Sequence, residues 1–557
     1  MPKSKTTRPL RVRESVSGAT TNNSKIYTFF KDWKHTILVL SVILFLALLL
    51  RLYNLNSLPV FGDEAIYIRW AQVMRADATL RFLPLADGKQ PLFMWLVIPF
   101  QKVILDPLIA GRLVSVLAGL GTLIGIFILT YLLFKSKRLS IITVLLYAIS
   151  PLSVFFDRMA LVDPLLTFFG IWTLVFSLIT VTKVRLDSAM LAGFAMGGAL
   201  LTKSPGIFFA IFTPFSLILY KWPKSFKEKF NRASIFVFLF TFTYAIAFLL
   251  YNILRLGSNF HMIGIRNLDY IYPLSHVLAS PLDPFKPFMI RIFEYIWLLG
   301  PGAVFLLFLA GVYFGLKEKR RETILLLLWA ILPILVIAEY NRTMTARYIY
   351  LSIPYIYIIS AFPLARFVKK RISEANIISP DWWGRFTPVA TILLLIFIIQ
   401  ALFVDYKFLV NIQEAKLPRS ERSGYLEEWT AGYGIKEVSE LIRKEYLKNP
   451  QAKIVVGTEG FFGPLPDALQ AYLADIPQIT VIWVGLPIKD IPVQLIESKM
   501  TGNKTYLVVN NDRFLTESEG DLNLLAVWGK AVRPDGSRQT LLFFEITETA
   551  LVGKQKS

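Results

Sequence analysis

Apolar runs long enough to cross a bilayer recur along the first 400 or so residues of the chain, separated by short polar connections, and then stop. A helix needs about twenty apolar residues to span the hydrocarbon core. Such runs stand near 37–50, 107–134, 139–156, 164–182, 188–202, 205–220, 233–254, 289–315, 323–338, 348–366 and 387–404, which predicts about eleven spans. The two runs around Thr202-Lys203-Ser204-Pro205 read either as an outward hairpin or as one kinked span, and the hairpin keeps the charge parity described below. From Asp405 the pattern changes: GIKEVSELIRKEYLK precedes KIVVG, followed by PDALQAYL, QITVIWVG, IPVQLIESK, KTYLVVN and TLLFFEI. Short β-branched runs alternating with helical ones predict a small, largely parallel sheet. The expected fold class is therefore a polytopic α-helical membrane protein with a C-terminal α/β domain. Its expected parts are a basic segment at 1–36, a transmembrane domain at 37–404 with a long outer loop at 57–106, and the α/β domain at 405–557.

Composition strengthens this reading. Of 557 residues 55% are hydrophobic and 18% charged, too apolar for a soluble globular chain. A net charge of +21 could suit nucleic acid, but the basic residues fall in short clusters between apolar runs, with no basic domain, so a nucleic-acid partner is excluded. The clusters read as topology signals instead. The leader carries Lys3, Lys5, Arg8, Arg11, Arg13, Lys25, Lys31 and Lys34; later connections carry Lys135, Lys137 and Arg138, then Lys183 and Arg185, Lys221 to Arg232, Lys317 to Arg321, and Lys369 to Arg371. All fall on the side of the N-terminus, as the positive-inside rule requires. The first run resembles a signal peptide, yet no A-x-A cleavage pattern follows, so it reads as an uncleaved span. The expectation is a multi-pass protein of the cytoplasmic (inner) membrane, N-terminus cytoplasmic and C-terminal domain extracytoplasmic. Trp382, Trp383 and other aromatic residues read as interface belt.

Cysteine is absent, and His35, His261 and His276 have no ligand-like spacing, so neither a metal nor another cofactor is expected. No P-loop or G-x-G-x-x-G supports a nucleotide site. The chemistry must come from the outer connections. These hold Asp63, Glu64, Tyr67, Arg69, Asp87, Lys89 and Gln90 in the first; Asp157, Arg158 and Asp163 in the second; Lys203 in the third; and Glu339, Arg342, Arg347 and Tyr348 in the fifth. Carboxylates beside a bilayer are costly to desolvate and mostly functional. A set of carboxylates and cations there suits transfer of a sugar from a polyprenyl-phosphate-linked donor to a glycan, lipid or protein acceptor. The acceptor hydroxyl needs a carboxylate to take its proton, with Asp63 as base and Glu64 beside it. The leaving phosphate needs cations in a poorly hydrated place. Tyr67, Lys89, Asp157, Arg158, Asp163, Lys203, Arg347 and Tyr348 are the candidates for binding donor or acceptor.

At FGDEAIYIRWAQ, GKQPLFMWL, FFDRMALVDPLLTFF, ALLTKSPG and ARYIYLSIP the chain resembles, in order, motifs of the GT-C glycosyltransferases of the protein mannosyltransferase and aminoarabinose transferase (PMT/ArnT-like) superfamily. The opening of the C-terminal domain, EEWTAGYGIKEV, is similar to bacterial relatives. The resemblance implies that Asp63 is the catalytic base or acceptor-orienting carboxylate with Glu64 in support. It implies that Lys89 contacts the lipid phosphate and that Arg158 and Asp163 bind donor or acceptor; Lys203 and Arg347 match further motif positions. Two departures stand out: Gln90 replaces the first proline of the family's Lys-Pro-Pro motif, and Gly88 stands where the aminoarabinose enzymes have a glutamate, which argues against an aminoarabinose donor.

Plainer roles compete with these. Asp63 and Glu64 could cap a helix, Arg158 and Asp163 could form an ion pair at a turn, and Lys89, Lys203 and Arg347 could snorkel. A transporter or flippase of lipid-linked saccharides would share the spans and cations, but internal repeats and polar residues at mid-depth are not evident.

Overall fold

The computed structural model describes residues 17–373, 386–516 and 522–548; the leading basic residues up to Arg13, and Trp382 and Trp383, lie outside them. Helix α1 (Ser17–Leu52) leads to strand β1 (Val60–Phe61), α2 (Gly62–Ala76) and α3 (Leu92–Phe100). Then come α4 (Pro107–Phe134), α5 (Lys137–Ala148), α6 (Pro151–Phe156), α7 (Val162–Lys183), α8 (Leu186–Thr202), α9 (Ile207–Phe212) and α10 (Phe226–Asn252). They are followed by α11 (Met262–Tyr270), α12 (Leu274–Ala279), α13 (Phe285–Leu299), α14 (Ala303–Glu318), α15 (Arg320–Tyr340), α16 (Ile353–Ser373) and α17 (Phe386–Val410). The C-terminal part holds α18 (Arg419–Arg422), β2 (Ala431–Gly432), α19 (Ile435–Lys448), β3 (Ile454–Glu459), α20 (Leu469–Leu473), β4 (Ile479–Gly485), α21 (Val493–Met500), β5 (Lys504–Asn510), β6 (Leu522–Val532) and β7 (Arg538–Ile546).

Among the described residues seven helices are long and apolar enough to cross a membrane, or eight if α13 and α14, bent by 108°, count as one. The sequence-based expectation of about eleven is not confirmed by this measure, chiefly because proline and glycine interrupt the apolar runs. The run at 139–156 breaks at Ser150-Pro151, the run at 289–315 breaks at Gly300-Pro301-Gly302, and the stretch after Lys203 mixes short 3-10 turns at Pro205 and Pro214 with the six-residue α9. The doubtful pair around Lys203 is thus a 17-residue helix, α8, followed by a short irregular return.

Small residues let the helices approach closely, as is usual in membranes. Gly121 and Gly125 of α4 face Phe168 and Ile171 of α7, Gly198 of α8 faces Phe169, and Gly193 and Gly197 face Ile246 and Leu250 of α10. These pairings make α4 and α7 parallel, and α7 and α8 antiparallel about the bond between the Thr180 and Ser188 hydroxyls, 3.0 Å. Asp163, in the first turn of α7, and Lys203, just past α8, therefore share one end of the bundle. The basic connection around Lys183 and Arg185 lies at the other.

The C-terminal sheet has the order β4-β3-β5-β7-β6. Strand β3 is parallel to β4 and β5, but β7 is antiparallel to β5 and β6. The sheet is mixed rather than largely parallel, because β6 and β7 form a hairpin closed at Pro534-Asp535-Gly536, with Gly536 at φ +81°. Strands β1 and β2 pair antiparallel, Val60 with Gly432 and Phe61 with Ala431, joining the first loop to the C-terminal part immediately before Asp63.

Candidate functional site

Helix α2 starts after the extended residue Phe61, whose N–H donates to the Glu64 carboxylate at 3.0 Å, half of a capping box. The same carboxylate accepts from Arg112 Nε and Nη2, both at 2.8 Å, and from Ala160 N at 2.6 Å. Arg112 also donates to the carbonyls of Leu55 and Leu58. Neither side chain has any exposure. Glu64 therefore does not face a substrate. It ties α2, α4 and the α6–α7 connection together, and one helical step away Asp63 points elsewhere.

Asp63 accepts from Arg347 Nη1 at 2.5 Å, and its side chain keeps 22% exposure. Burial alone would raise its pKa, but Arg347, Lys89 and Lys203 overcome that and hold it at about 2, so the group is a carboxylate throughout the physiological range. Arg347 lies over the rings of Phe61 and Tyr348, 5.6 and 5.7 Å from their centroids. Lys203 donates to Asp163 at 2.7 Å and sits 4.9 Å from the Tyr348 ring centroid. Arg347 Nε and Asp163 Oδ2 are buried without a hydrogen-bond partner among the described residues. Buried polar groups of that kind call for a ligand or water.

A second cationic group lies nearby. Lys89 pairs with Asp87 at 3.0 Å, and Arg266, from α11, donates to the same carboxylate at 2.8 Å. Lys89 is also 5.7 and 5.8 Å from the ring centroids of Tyr67 and Trp70. Burial opposes the charge on Lys89, yet Tyr67, Asp63 and Asp87 keep its pKa above the ordinary lysine value. The Tyr67 phenol is pushed up by burial and by Asp63, and stays neutral. Gly88, between Asp87 and Lys89, has φ +67°, and a Cβ there would lie 2.6 Å from Arg266 Cβ. No larger side chain fits that position.

Both groups line one cavity of about 1480 Å³. Asp63, Tyr67, Lys89, Asp163, Lys203, Arg347 and Tyr348 all reach it, and its remaining wall is largely apolar, with Leu200, Phe208, Phe240, Tyr244, Phe248 and Tyr251 from α8 to α10. The cavity is thus polar around Asp63, Lys89, Asp163, Lys203 and Arg347 and apolar along α8 to α10. Among the described residues no group of three His, Cys, Asp or Glu could hold a metal ion.

Asp157 and Arg158 do not line this cavity. Asp157 accepts from Arg51 Nε at 2.9 Å and Tyr350 Oη at 2.7 Å, fully buried. Arg158 donates to the carbonyls of Leu50, Tyr53 and Asn54 at 2.9, 2.7 and 2.7 Å, in the last turn of α1 and the turn just beyond it. The substrate-binding role expected of Asp157 and Arg158 is corrected accordingly, since their polar atoms are already engaged in holding the chain. Asp163 pairs with Lys203 and not with Arg158. Sequence reasoning gave Arg112 and Arg266 no role. Arg112 carried a signal, an arginine near the start of an apolar run; Arg266, in a long polar loop, carried none.

Residues 88–248 match the family model described as dolichyl-phosphate-mannose-protein mannosyltransferase, which takes in Lys89, Asp163 and Lys203 but not Asp63 or Arg347. Among solved structures, ArnT from Cupriavidus metallidurans bound to undecaprenyl phosphate is similar over 92% of this chain and 98% of that one, at 15% identity and a TM-score of 0.53. The chain has a GT-C fold of the PMT/ArnT-like kind. The apo form of the same ArnT gives a TM-score of 0.53 at 13% identity over 93% and 99% of the two chains. The oligosaccharyltransferase of Archaeoglobus fulgidus in its apo form gives 0.50 at 14% identity over 86% and 70%. No curated protein sequence matches. The GT-C fold accounts for a mainly helical membrane body carrying a C-terminal sheet, and it agrees with the motif resemblance.

Proposed function

We propose that this protein transfers a sugar from a polyprenyl-phosphate-linked donor to an acceptor hydroxyl, with inversion at the anomeric carbon. The observation that carries the reading is the cavity itself: Asp63 and the cations Arg347, Lys203, Lys89 and Arg266 at its polar end, an apolar wall along the rest. The wall suits a polyprenyl chain, whose burial contributes about 0.8 kcal/mol per methylene. In the reaction the bond from the anomeric carbon to the phosphate oxygen breaks with its electron pair going to phosphate, and the acceptor oxygen bonds to the same carbon from the opposite face. Its proton passes to Asp63. Because the Asp63 carboxylate is a weak base, this transfer comes late, after the new bond has made the acceptor oxygen acidic. Lys89 and Arg266 meet the phosphate, whose charge grows as it leaves. Lys203 meets the phosphate with them, and Arg347 and Asp163 orient the sugar and the acceptor, which is a glycan, lipid or protein.

The site opens at the outer face of the cytoplasmic membrane in this reading, with the N-terminus cytoplasmic and 405–557 an extracytoplasmic α/β domain; the basic connections at the opposite helix ends support it. No cofactor takes part, since the cations supply the charge the leaving phosphate requires. The test uses purified protein in detergent and a panel of synthetic polyprenyl-phosphate hexoses and pentoses. Release of polyprenyl phosphate from at least one, lost in Asp63→Asn with an unchanged unfolding midpoint, is the expected result. No release from any of them, together with identical glycolipids in cells with and without the gene, would overturn it.

A further inference from the structure

Three of the cavity cations have an uncharged polar residue as their next neighbour in the chain: Lys89-Gln90, Lys203-Ser204 and Arg266-Asn267. The three neighbours meet. Gln90 Nε2 donates to Ser204 Oγ at 2.9 Å, and Ser204 Oγ donates to Asn267 Oδ1 at 3.1 Å. They come from three separate places: the connection entering α3, the 3-10 turn after α8, and α11. All three line the cavity, and Gln90 is 5% exposed.

This junction answers an electrostatic problem. Lys89 and Arg266 share the Asp87 carboxylate, Arg266 also pairs with Asp269 at 2.6 Å, and Lys203 is tied to Asp163. Like charges around one cavity still repel, and a neutral tie between the segments that carry them opposes their separation. The Ser204 hydroxyl provides one, because it can accept from one carboxamide while donating its single proton to the other. Gln90 occupies the position where the resembling motif has a proline, and proline has no side-chain donor to offer. The tie is therefore built from this chain's own residues.

We propose that Gln90, Ser204 and Asn267 are positioning residues, a hydrogen-bonded lock that sets the spacing of Lys89, Lys203 and Arg266 for one phosphate group. The lock rests on the function read above, since it presupposes that a lipid phosphate is what the cations meet. It acts on the charged head and not on the apolar wall, so opening it weakens phosphate recognition and leaves recognition of the lipid chain alone. Cutting it at either bond opens the same device, so two cuts do no more than one.

The experiment measures binding of undecaprenyl phosphate and of undecaprenol to the full chain in detergent by native mass spectrometry, with unfolding midpoints recorded alongside. Wild type should prefer the phosphate. Ser204→Ala and Gln90→Leu should each lower phosphate affinity about five- to tenfold with undecaprenol affinity unchanged; the double variant should match the single ones, and Ser204→Thr, which keeps the hydroxyl, should retain most of the affinity. Wild-type phosphate affinity in both single variants, additive losses, or equal losses for phosphate and alcohol would each overturn the lock while leaving the function standing. If one variant fails to fold, Asn267→Leu supplies the second cut. A wild-type protein that binds the alcohol as tightly as the phosphate overturns the function reading and the lock with it.

Discussion

Two acidic neighbours, Glu64 and Asp63, each pair with an arginine, and they could hardly be used more differently. Glu64 and Arg112 have no exposure, both carboxylate oxygens are engaged, and the arginine also donates to backbone carbonyls. Asp63 and Arg347 keep 22% and 14% exposure toward a cavity, and Arg347 Nε has no partner. A buried ion pair holds only when its remaining hydrogen-bonding capacity is met, because desolvation otherwise exceeds the attraction. Glu64–Arg112 meets that condition and serves the architecture. Asp63–Arg347 leaves capacity unused, and that surplus is what a substrate can take up.

The comparison can be broken in four ways. Asp63→Asn should reduce sugar transfer by about a hundredfold or more, the range for loss of a general base, with little change in unfolding temperature; a large fall in stability instead would make Asp63 structural like its neighbour. Glu64→Ala should do the reverse. Leaving Arg112 buried and unpaired should cost roughly 3–5 kcal/mol of stability, read as a sharp drop in unfolding midpoint and in yield of monodisperse protein, and a stable, inactive variant would place Glu64 in the chemistry.

A smaller effect should come from Glu421, whose carboxylate accepts from Ala346 N at 3.0 Å immediately before Arg347. Burial, only partly offset by that bond and by Arg347, pushes its pKa from 4.5 up to about 7. The folded chain thus holds a proton that the unfolded chain has lost across this window, so stability should fall as pH rises through it. Glu421→Gln should flatten the dependence of unfolding midpoint on pH between those limits, and an unchanged slope would remove Glu421 from the support of Arg347. The least change is expected from a chelator. Turnover should persist in its presence, and loss restored by a divalent cation would add a metal to the Asp63 side of the comparison.

Of the residues that line the cavity, Asp63, Lys89, Asp163, Lys203 and Arg347 are legible as charges within motifs of the outer connections. Asp157 and Arg158 have the same sequence signature and a different fate. What separates them is whether backbone carbonyls at the end of α1 and the side chains of Arg51 and Tyr350 reach them first, and those partners are distant in sequence. Arg266 and Asn267 were invisible for the same reason. The helical body and the C-terminal sheet were readable from hydropathy, whereas the number of spans was not, because proline and glycine bend or shorten helices inside runs that remain uniformly apolar. The mixed sheet is not legible because β6, LNLLAVWGKAV, has few β-branched residues and carries Gly529-Lys530 within it.

The pairing of β1 with β2 also has a consequence in time. Phe61 is translated early, but its partner Ala431 follows 370 residues later, an interval of roughly twenty to seventy seconds at ordinary rates of synthesis. Until then the turn that launches α2 and presents Asp63 has no strand to lie against. Helices formed before that point precede the pairing, which is completed only with the last quarter of the protein. A chain ending at residue 405 would lack β2, and with it the strand that the turn before α2 lies against.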